Sequence, residues 1–193
     1  MARHGIVFVL SGPSAAGKHT ILEKALKLDT NIELSISTTT REPRENEVHG
    51  VDYYFVEKKA FHERVAAGDF VEHAKVHGNF YGIQRSELNR RLHSGRDVAI
   101  QMDVQGMGTL AKTDLDLVTI FVVPPSLDEL GRRLVHRGAN TDDEIAVRLQ
   151  NACDEMKARH AYDYIIVNDK LEDAVRDFLA ILHAERCLAT RQP

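Results

Sequence analysis

A glycine-rich segment near the start of the chain has the spacing of a phosphate-binding loop. Residues 12–18 read Gly-Pro-Ser-Ala-Ala-Gly-Lys, which matches the pattern G-x-x-x-x-G-K. The segment lies between an apolar run and an amphipathic stretch, and the motif is meaningful only between a strand and a helix. Its glycines let N–H groups turn inward around phosphate oxygens, and the start of a helix adds partial positive charge. We predict triphosphate binding, with Lys18 stabilising the phosphoryl group in transfer.

The residue after Lys18 departs from this pattern. A Ser or Thr at that position would give its hydroxyl to magnesium, whereas this chain has His19 followed by Thr20. Because Mg²⁺ prefers oxygen ligands, an imidazole is a poor substitute. The metal ligands are therefore left unassigned. The residues predicted to hold the triphosphate are Gly12, Pro13, Ser14, Ala15, Ala16, Gly17, Lys18, His19 and Thr20.

A second candidate phosphate site follows a run of hydroxyl side chains that begins at Ser35. Two arginines, Arg41 and Arg44, stand three residues apart in this polar segment. Guanidinium groups bind phosphate through paired hydrogen bonds, and hydroxyls fill the remaining acceptor positions. Taken alone, the segment is equally compatible with a solvated loop.

The longer motifs of the chain resemble those of the guanylate kinase family. The block 39–56, with Arg-Glu-Pro-Arg at 41–44 and Val-His-Gly-Val-Asp-Tyr-Tyr-Phe-Val at 48–56, looks like the GMP-binding lobe of that family. Other similar segments are 68–74, 78–82, 103–106 and 162–169, together with Arg137-Gly138 and Arg148. They cover nearly the whole chain in order. The resemblance implies an α/β fold of the P-loop NTPase type and transfer of the γ-phosphoryl group of ATP to GMP or dGMP, with Mg²⁺ as cofactor.

The same resemblance implies roles for single residues. Glu72 would accept hydrogen bonds from the guanine N1–H and 2-amino groups, a pair of donors that adenine lacks on that edge. Asp103 would assist at the base or near the metal, and Asn168 would lie near the adenine of ATP. The residues implied to hold the phosphate of GMP are Ser37, Arg41, Arg44, Tyr53 and Tyr81. The implied catalytic residues are Lys18, Arg133, Arg137 and Arg148.

Three more positions depart from the family pattern. Ile83 stands where a Ser or Thr usually contacts guanine O6, and the neighbouring Gln84 is a candidate to reach that oxygen instead. Gln101 replaces an acidic residue two positions before Asp103, and Ala15 replaces a common loop glycine. We expect these changes to alter magnesium handling and guanine affinity.

Two other functions stay open at the level of sequence. One is a kinase for another phosphorylated acceptor, because ribose 1,5-bisphosphate phosphokinase also lacks the hydroxyl after its loop lysine and resembles segments 77–83 and 95–98. Glu72 and the residues around Tyr53 favour a purine acceptor instead. The other is a catalytically weakened binding module, as in scaffold proteins with a guanylate-kinase-like domain. Those modules usually lose the phosphate loop, which this chain keeps.

Apolar runs alternate with amphipathic stretches along the chain, and these elements must position the residues above. The alternation predicts a doubly wound, mostly parallel sheet in one domain over 1–193. Residues 38–86 break the alternation, so we predict an inserted GMP-binding lobe there, and we predict a lid region at 132–148. The predicted strands are 6–10, 32–37, 97–102, 117–123 and 164–167. The predicted helices are 18–28, 84–93, 126–136, 142–160 and 171–187.

Composition narrows the possible partners. The chain has 193 residues, 43% hydrophobic content and a net charge of −4. This charge argues against extensive nucleic-acid binding, which needs a basic face. No apolar run approaches the length of a membrane span, and Cys153 and Cys187 lack metal-type spacing. We therefore expect a cytoplasmic protein that binds ATP and GMP but neither nucleic acid nor membrane, as a monomer or a homo-oligomer.

Overall fold

The computed structural model describes residues 3–76, 78–136 and 142–192, with the side chains of 142–144 left aside. Its strands are β1 (Val7–Ser11), β2 (Ile32–Leu34), β3 (Thr38–Thr39), β4 (Tyr54–Phe55), β5 (Phe70–Val76), β6 (Asn79–Gln84), β7 (Asp97–Gln101), β8 (Leu117–Val123) and β9 (Tyr164–Val167). Its α-helices are α1 (Lys18–Leu28), α2 (Lys58–Ala66), α3 (Arg85–His93), α4 (Val104–Leu110), α5 (Leu127–His136), α6 (Asp142–Lys157) and α7 (Leu171–Arg186). Short 3₁₀ turns cover Ala158–Ala161 and Ala189–Arg191.

A five-stranded sheet forms the centre of the fold. Its strand order is β2-β7-β1-β8-β9, and every neighbouring pair is parallel. Side chains of β1 alternate between the two faces: Phe8 and Leu10 pack with α1 and α7, whereas Val7 and Val9 pack with α3 and α4. Because both faces of β1 are covered, its residues form a continuous apolar run. The predicted doubly wound α/β fold is confirmed.

A second sheet lies within residues 38–84 and has the strand order β4-β3-β6-β5. Strands β5 and β6 form an antiparallel hairpin, with Gly78 at a φ of 84° in its turn. The strand predicted over 32–37 is wrong at its end, because β2 stops at Leu34. The Ser37 carbonyl instead accepts a hydrogen bond of 2.9 Å from the Tyr54 N–H. The backbone at Ser37 therefore pairs with the second sheet and does not continue β2.

Helices α5 and α6 pack together beside the phosphate-binding segment. Leu130 and Leu134 from α5 form a small apolar cluster with Ala152 from α6, and Ala15 of the loop joins them. Within the described ranges, none of the helices has both the length and the apolar character to cross a membrane.

An ion-pair cluster joins the two ends of the chain at the start of β7. The Asp97 side chain is fully buried and accepts hydrogen bonds from Arg3 at 2.8 Å, from the Ile6 N–H at 2.9 Å and from Arg186 at 2.6 Å. Arg186 also pairs with Asp29 at the end of α1. A buried carboxylate is tolerated only where such partners compensate for its lost hydration.

We expect Asp97→Asn to lower the free energy of unfolding by about 3 kcal/mol or more, because Arg3 would lose its buried counter-charge and Arg186 would keep only Asp29. Urea unfolding monitored by circular dichroism measures this loss. Asp173→Asn is the matched control, since Asp173 pairs with Arg176 on the exposed surface of α7. The control should change stability by less than about 0.5 kcal/mol, and equal losses in the two variants would contradict the assignment.

Candidate active site

The carboxyl ends of the parallel strands bring the candidate site residues to one edge of the sheet. The phosphate-loop segment follows β1, Asp103 follows β7 and Asn168 follows β9. Strand β1 lies between β7 and β8, so the chain leaves it at a topological switch point. Ligands of open α/β sheets bind in the crevice at such a point.

The loop after β1 has the backbone conformation that phosphate binding requires. Gly12 and Gly17 have φ values of 135° and 95°, a region that favours glycine. A Cβ on Gly12 would stand 2.2 Å from the Val122 carbonyl oxygen, so no larger residue fits there. Ala15, where the family usually has glycine, also has a positive φ of 64°. The left-handed backbone conformation costs an alanine roughly 1–2 kcal/mol. The loop therefore carries local backbone strain at Ala15.

The first candidate cavity opens over this loop and has a volume of about 320 Å³. Lys18 projects into the loop, where its amine donates hydrogen bonds to the Gly12 and Pro13 carbonyl oxygens. The other lining residues named by the sequence are Ser14, His19, Gln101 and Asp103. This cavity therefore joins the loop lysine to two side chains from the end of β7.

The structure adds Glu155 to the first cavity, a residue that the sequence analysis did not select. It comes from α6 and lines the cavity with Lys18 and Asp103. Partial burial raises the pKa of its carboxyl group, the Lys18 charge opposes that rise and the Asp103 charge adds to it. In the sequence Glu155 is one of several acidic residues on a long helix. Only the packing of α6 against α5 distinguishes it from the others.

A second cavity of about 280 Å³ lies on the other side of the loop. Asn168 is buried at its wall, and its side-chain amide donates a hydrogen bond of 2.8 Å to the Ala16 carbonyl. Arg133 lines the same cavity, and its guanidinium donates a hydrogen bond of 3.0 Å to the Asn168 carbonyl. The same guanidinium also donates a hydrogen bond to the Glu129 carboxylate. Asn168 and Arg133 thus brace the loop from β9 and α5.

The third cavity, of about 180 Å³, lies between the two sheets. It is lined by four of the residues implied to contact GMP from the second sheet or the segment leading to it: Ser37, Tyr53, Glu72 and Tyr81. Gln101, Met102 and Asp103 line both this cavity and the one over the phosphate loop. The two cavities are therefore contiguous at the end of β7, and we call the third one the acceptor cavity.

Glu72 is the one buried carboxylate in the acceptor cavity among the described residues, with 8% of its surface exposed. Glu72 and Asp103 flank Gly106, since their oxygens lie 3.6 and 3.4 Å from the position a Cβ would take there. Within the described part of the chain, no side chain or N–H group donates a hydrogen bond to Glu72. Burial, with a smaller contribution from Asp103, raises its pKa from 4.5 to about 7.

The arginines of the candidate site differ in their surroundings. Arg41 is held by both carboxylate oxygens of Glu47, at 2.7 and 2.8 Å, and lies over the Tyr53 ring at 5.4 Å. Arg44 and Arg148 are exposed and line none of the three cavities. Arg137 lies outside the described residues. Of the implied arginines, Arg41 is thus the one already oriented beside an acceptor-cavity residue.

Ile83 lines the acceptor cavity, whereas Gln84 is not among its lining residues. Ile83 lines the cavity with 4% of its surface exposed. The Gln84 amide instead donates a hydrogen bond of 2.7 Å to the Thr38 hydroxyl. The Gln84 amide is thus held at Thr38 on the neighbouring strand β3.

Comparisons with known proteins agree with these features. A family model described as guanylate kinase matches residues 5–185. The chain is 43% identical over 187 residues to a guanylate kinase of Clostridium perfringens, covering 97% of this chain and 87% of that protein. It is 45% identical over 193 residues to one of Paramagnetospirillum magneticum, covering 100% and 90%. The crystal structure of guanylate kinase from Anaplasma phagocytophilum superposes with a TM-score of 0.78 at 35% identity, covering 99% of this chain and 91% of that one.

The raised pKa of Glu72 predicts a specific dependence of stability on pH. The folded carboxyl holds its proton up to about pH 7, whereas the unfolded one releases it near 4.5. The contribution of the Glu72 proton to the free energy of unfolding is therefore fully present below pH 4.5 and is lost as the pH rises through 7. In Glu72→Gln the side chain does not titrate, so the free energy of unfolding should not show this decrease.

We expect the unfolding free energy of Glu72→Gln, relative to wild type, to rise by up to about 3 kcal/mol between pH 4.5 and pH 8. Urea unfolding at closely spaced pH values measures the difference. Glu63→Gln, at an exposed position on α2, serves as the control and should give a flat difference. A flat difference for Glu72→Gln as well would show that the carboxyl is not desolvated.

Proposed function

The chain belongs to the guanylate kinase family, and on that premise we propose that its site transfers the γ-phosphoryl group of ATP to GMP, and also to dGMP, forming ADP and the nucleoside diphosphate. The observation that carries the proposal is the shared wall of two cavities, Gln101 to Asp103. On one side of this wall lies the phosphate loop with Lys18, and on the other lies the buried carboxylate Glu72. A donor and an acceptor bound on its two sides would have their phosphates adjacent.

Catalysis in this arrangement is positioning and charge stabilisation, since phosphoryl transfer needs little covalent chemistry from the protein. The N–H groups of the loop bind the donor phosphates, and the Lys18 ammonium turns from the loop carbonyls towards the phosphoryl group in transfer. Arg41 and Tyr81 hold the acceptor phosphate, with Ser37, Tyr53 and Arg44 in support. Arg133, Arg137 and Arg148 supply further positive charge, and Asn168 lies towards the nucleoside of ATP.

We propose Mg²⁺ as the metal that accompanies ATP. Oxygen donors that suit Mg²⁺ line the first cavity, namely the Asp103 and Glu155 carboxylates and the Gln101 carbonyl, so the donor set fits. His19 offers only nitrogen and is not needed in this set. When bound, Mg²⁺ would neutralise charge on the donor phosphates. Within the described residues, no three His, Cys, Asp or Glu side chains are grouped as a metal site.

The organisation of the chain follows from this function. We propose that residues 38–86, which contain the second sheet, are the acceptor lobe of one domain and that 132–148, of which 137–141 lie outside the described residues, form the lid region. Lobe movement over bound substrates would exclude water from the reaction. We also propose that the protein acts in the cytoplasm. No observation favours ribose 1,5-bisphosphate as acceptor or a non-catalytic role.

A coupled assay of ADP formation tests the proposal with GMP, dGMP, AMP and ribose 1,5-bisphosphate as acceptors. We expect activity with GMP and dGMP, and we expect Lys18→Ala to lower kcat at least about a hundredfold because a transition-state charge contact is lost. Lys24→Ala is the matched control, since Lys24 lies on the same helix in a surface ion pair with Glu172. An unchanged kcat in Lys18→Ala, with the fold intact by circular dichroism, would remove the loop from the donor site.

A second test concerns the base of the acceptor. Glu72→Gln keeps the side-chain shape but places an amide donor against the guanine donors, which leaves a buried group unpaired. Such a loss costs about 1–3 kcal/mol, so kcat/KM for GMP should fall roughly ten- to a hundredfold while the KM for ATP stays within about twofold. Steady-state kinetics with each substrate varied in turn measures both values. A GMP efficiency within about twofold of wild type would show that Glu72 does not recognise the guanine base.

A further inference from the structure

We propose that Glu47 is a positioning residue of the acceptor site, which ties the Arg41 guanidinium to the turn at Arg44 and presents it to the acceptor phosphate as a fixed cation. The inference rests on the proposed function and adds a residue to it. Glu47 lines none of the three cavities. It therefore acts through Arg41 and does not touch the substrate.

The Glu47 carboxylate closes the segment from Arg41 to Glu47 into one unit. Both of its oxygens accept hydrogen bonds from Nη2 of Arg41, at 2.7 and 2.8 Å, and one of them also accepts from the Arg44 N–H at 2.8 Å. The backbone turns at the same place, because the Glu47 N–H donates to the Arg44 carbonyl at 3.0 Å. One side chain therefore fixes both the loop and the guanidinium.

The other contacts of Arg41 place it beside the acceptor cavity. Its guanidinium carbon lies 5.4 Å from the centre of the Tyr53 ring and 5.9 Å from that of Phe55, and Tyr53 lines the cavity. Its Nη1 donates a hydrogen bond of 2.7 Å to the Glu42 carbonyl. A guanidinium carries five N–H groups, so Arg41 can keep these partners and still donate to a phosphate.

The two arginines of this segment differ in their freedom. Arg41 and Glu47 form a shielded pair, since only 17% of each side chain is exposed. The Arg41 guanidinium, together with the Arg44 N–H, lowers the pKa of the Glu47 carboxyl, so that it is charged at neutral pH. The Arg44 side chain is exposed and makes no hydrogen bond or ion pair within the described part of the chain. Arg41 is thus oriented before the phosphate binds, whereas the phosphate itself must order Arg44.

Removal of the Glu47 charge has two opposite consequences for phosphate binding, and their signs separate positioning from simple electrostatics. A negative charge lost near an anion site strengthens anion binding by Coulomb's law, although water and salt screen the effect. A guanidinium that has lost its anchor must be ordered by the phosphate, and ordering a long side chain costs affinity. Because Glu47 holds both the guanidinium and the loop, the loss of order dominates and binding weakens.

The first experiment measures the calorimetric Kd for GMP and for guanosine, which lacks the phosphate, with wild type, Glu47→Gln and Glu45→Gln. Glu47→Gln should raise the Kd for GMP about three- to tenfold and leave the Kd for guanosine within about twofold. The KM for GMP should rise in parallel, while kcat and the KM for ATP stay within about twofold. Glu45→Gln is the matched control, because Glu45 is an exposed carboxylate in the same loop and its loss changes the net charge equally. It should leave both Kd values within about twofold.

A double-mutant cycle identifies the residue through which Glu47 acts. In the Arg41→Ala background, Glu47→Gln should no longer weaken GMP binding, because the guanidinium that it positions is gone. A further weakening as large as in wild type would give Glu47 a general structural role and overturn the proposal. Tighter GMP binding in Glu47→Gln, or an equal loss in Glu45→Gln, would overturn it as well.

The same measurements separate this proposal from the proposed function. If wild type binds and phosphorylates GMP but Glu47→Gln has an unchanged Kd, the positioning role of Glu47 is wrong and the proposed function stands. If wild type does not bind GMP, both are wrong.

Discussion

The close contact between Gly12 and β8 is the constraint on which the rest of the site depends. Strand β1 pairs with β8 up to Ser11 and Phe121, and the next residue must turn away beneath the Val122 carbonyl. Only a residue without a side chain can make that turn. Asn168 then holds the far side of the loop through the Ala16 carbonyl. The shape of the phosphate site is thus set by the close approach of Gly12 to the β8 backbone and by the Asn168 side chain, which follows β9.

Two local features of the site cost stability. Ala15 has a left-handed backbone conformation that favours glycine, and its side chain packs against α5 and α6 in the small apolar cluster. Glu72 is buried without a hydrogen-bond donor from the described residues, and Asp103 adds like charge nearby. Strain and desolvation of this kind collect at functional sites, where a ligand supplies the missing partners. Guanine, with two donors on one edge, would be such a partner for Glu72.

Much of the fold was predictable because the core strands are apolar and the phosphate loop has a fixed spacing. All five strands of the central sheet lie where apolar runs predicted them, apart from the end of β2. Strands β5 and β6 were not separately predicted, because their residues mix charge, glycine and aromatic side chains without clear alternation, and β3 has only 2 residues. Helix α4 has only 7 residues and two glycines, so it has no helical periodicity to detect. Strand pairing in this region is decided by tertiary contacts.

The site was less predictable than the fold, for a physical reason that Glu155 and Arg44 illustrate. Spacing within the glycine-rich motif constrains backbone shape, so it identified the loop, whereas Glu72 and Asp103 were implied only by the family resemblance. It does not report which face of a helix or loop turns towards a cavity. Glu155 reaches the first cavity only because α6 packs on α5, and Arg44 is exposed although it stands three residues from Arg41. Glu47 holds Arg41 in its position over the Tyr53 ring. No local sequence pattern indicates this role of Glu47.

The four departures from the family pattern share one property, which bears on how this chain differs from its relatives. Ala15, His19, Gln101 and Ile83 each differ from that pattern in a side chain, while Gly12 and Gly17 of the loop have positive φ values. Backbone N–H groups and the Lys18 charge supply most of the electrostatic stabilisation that phosphoryl transfer needs. Loss of a metal-binding hydroxyl or an O6 contact affects ligand selection instead. Such a chain can keep its reaction while its preferences for metal ion and acceptor base change.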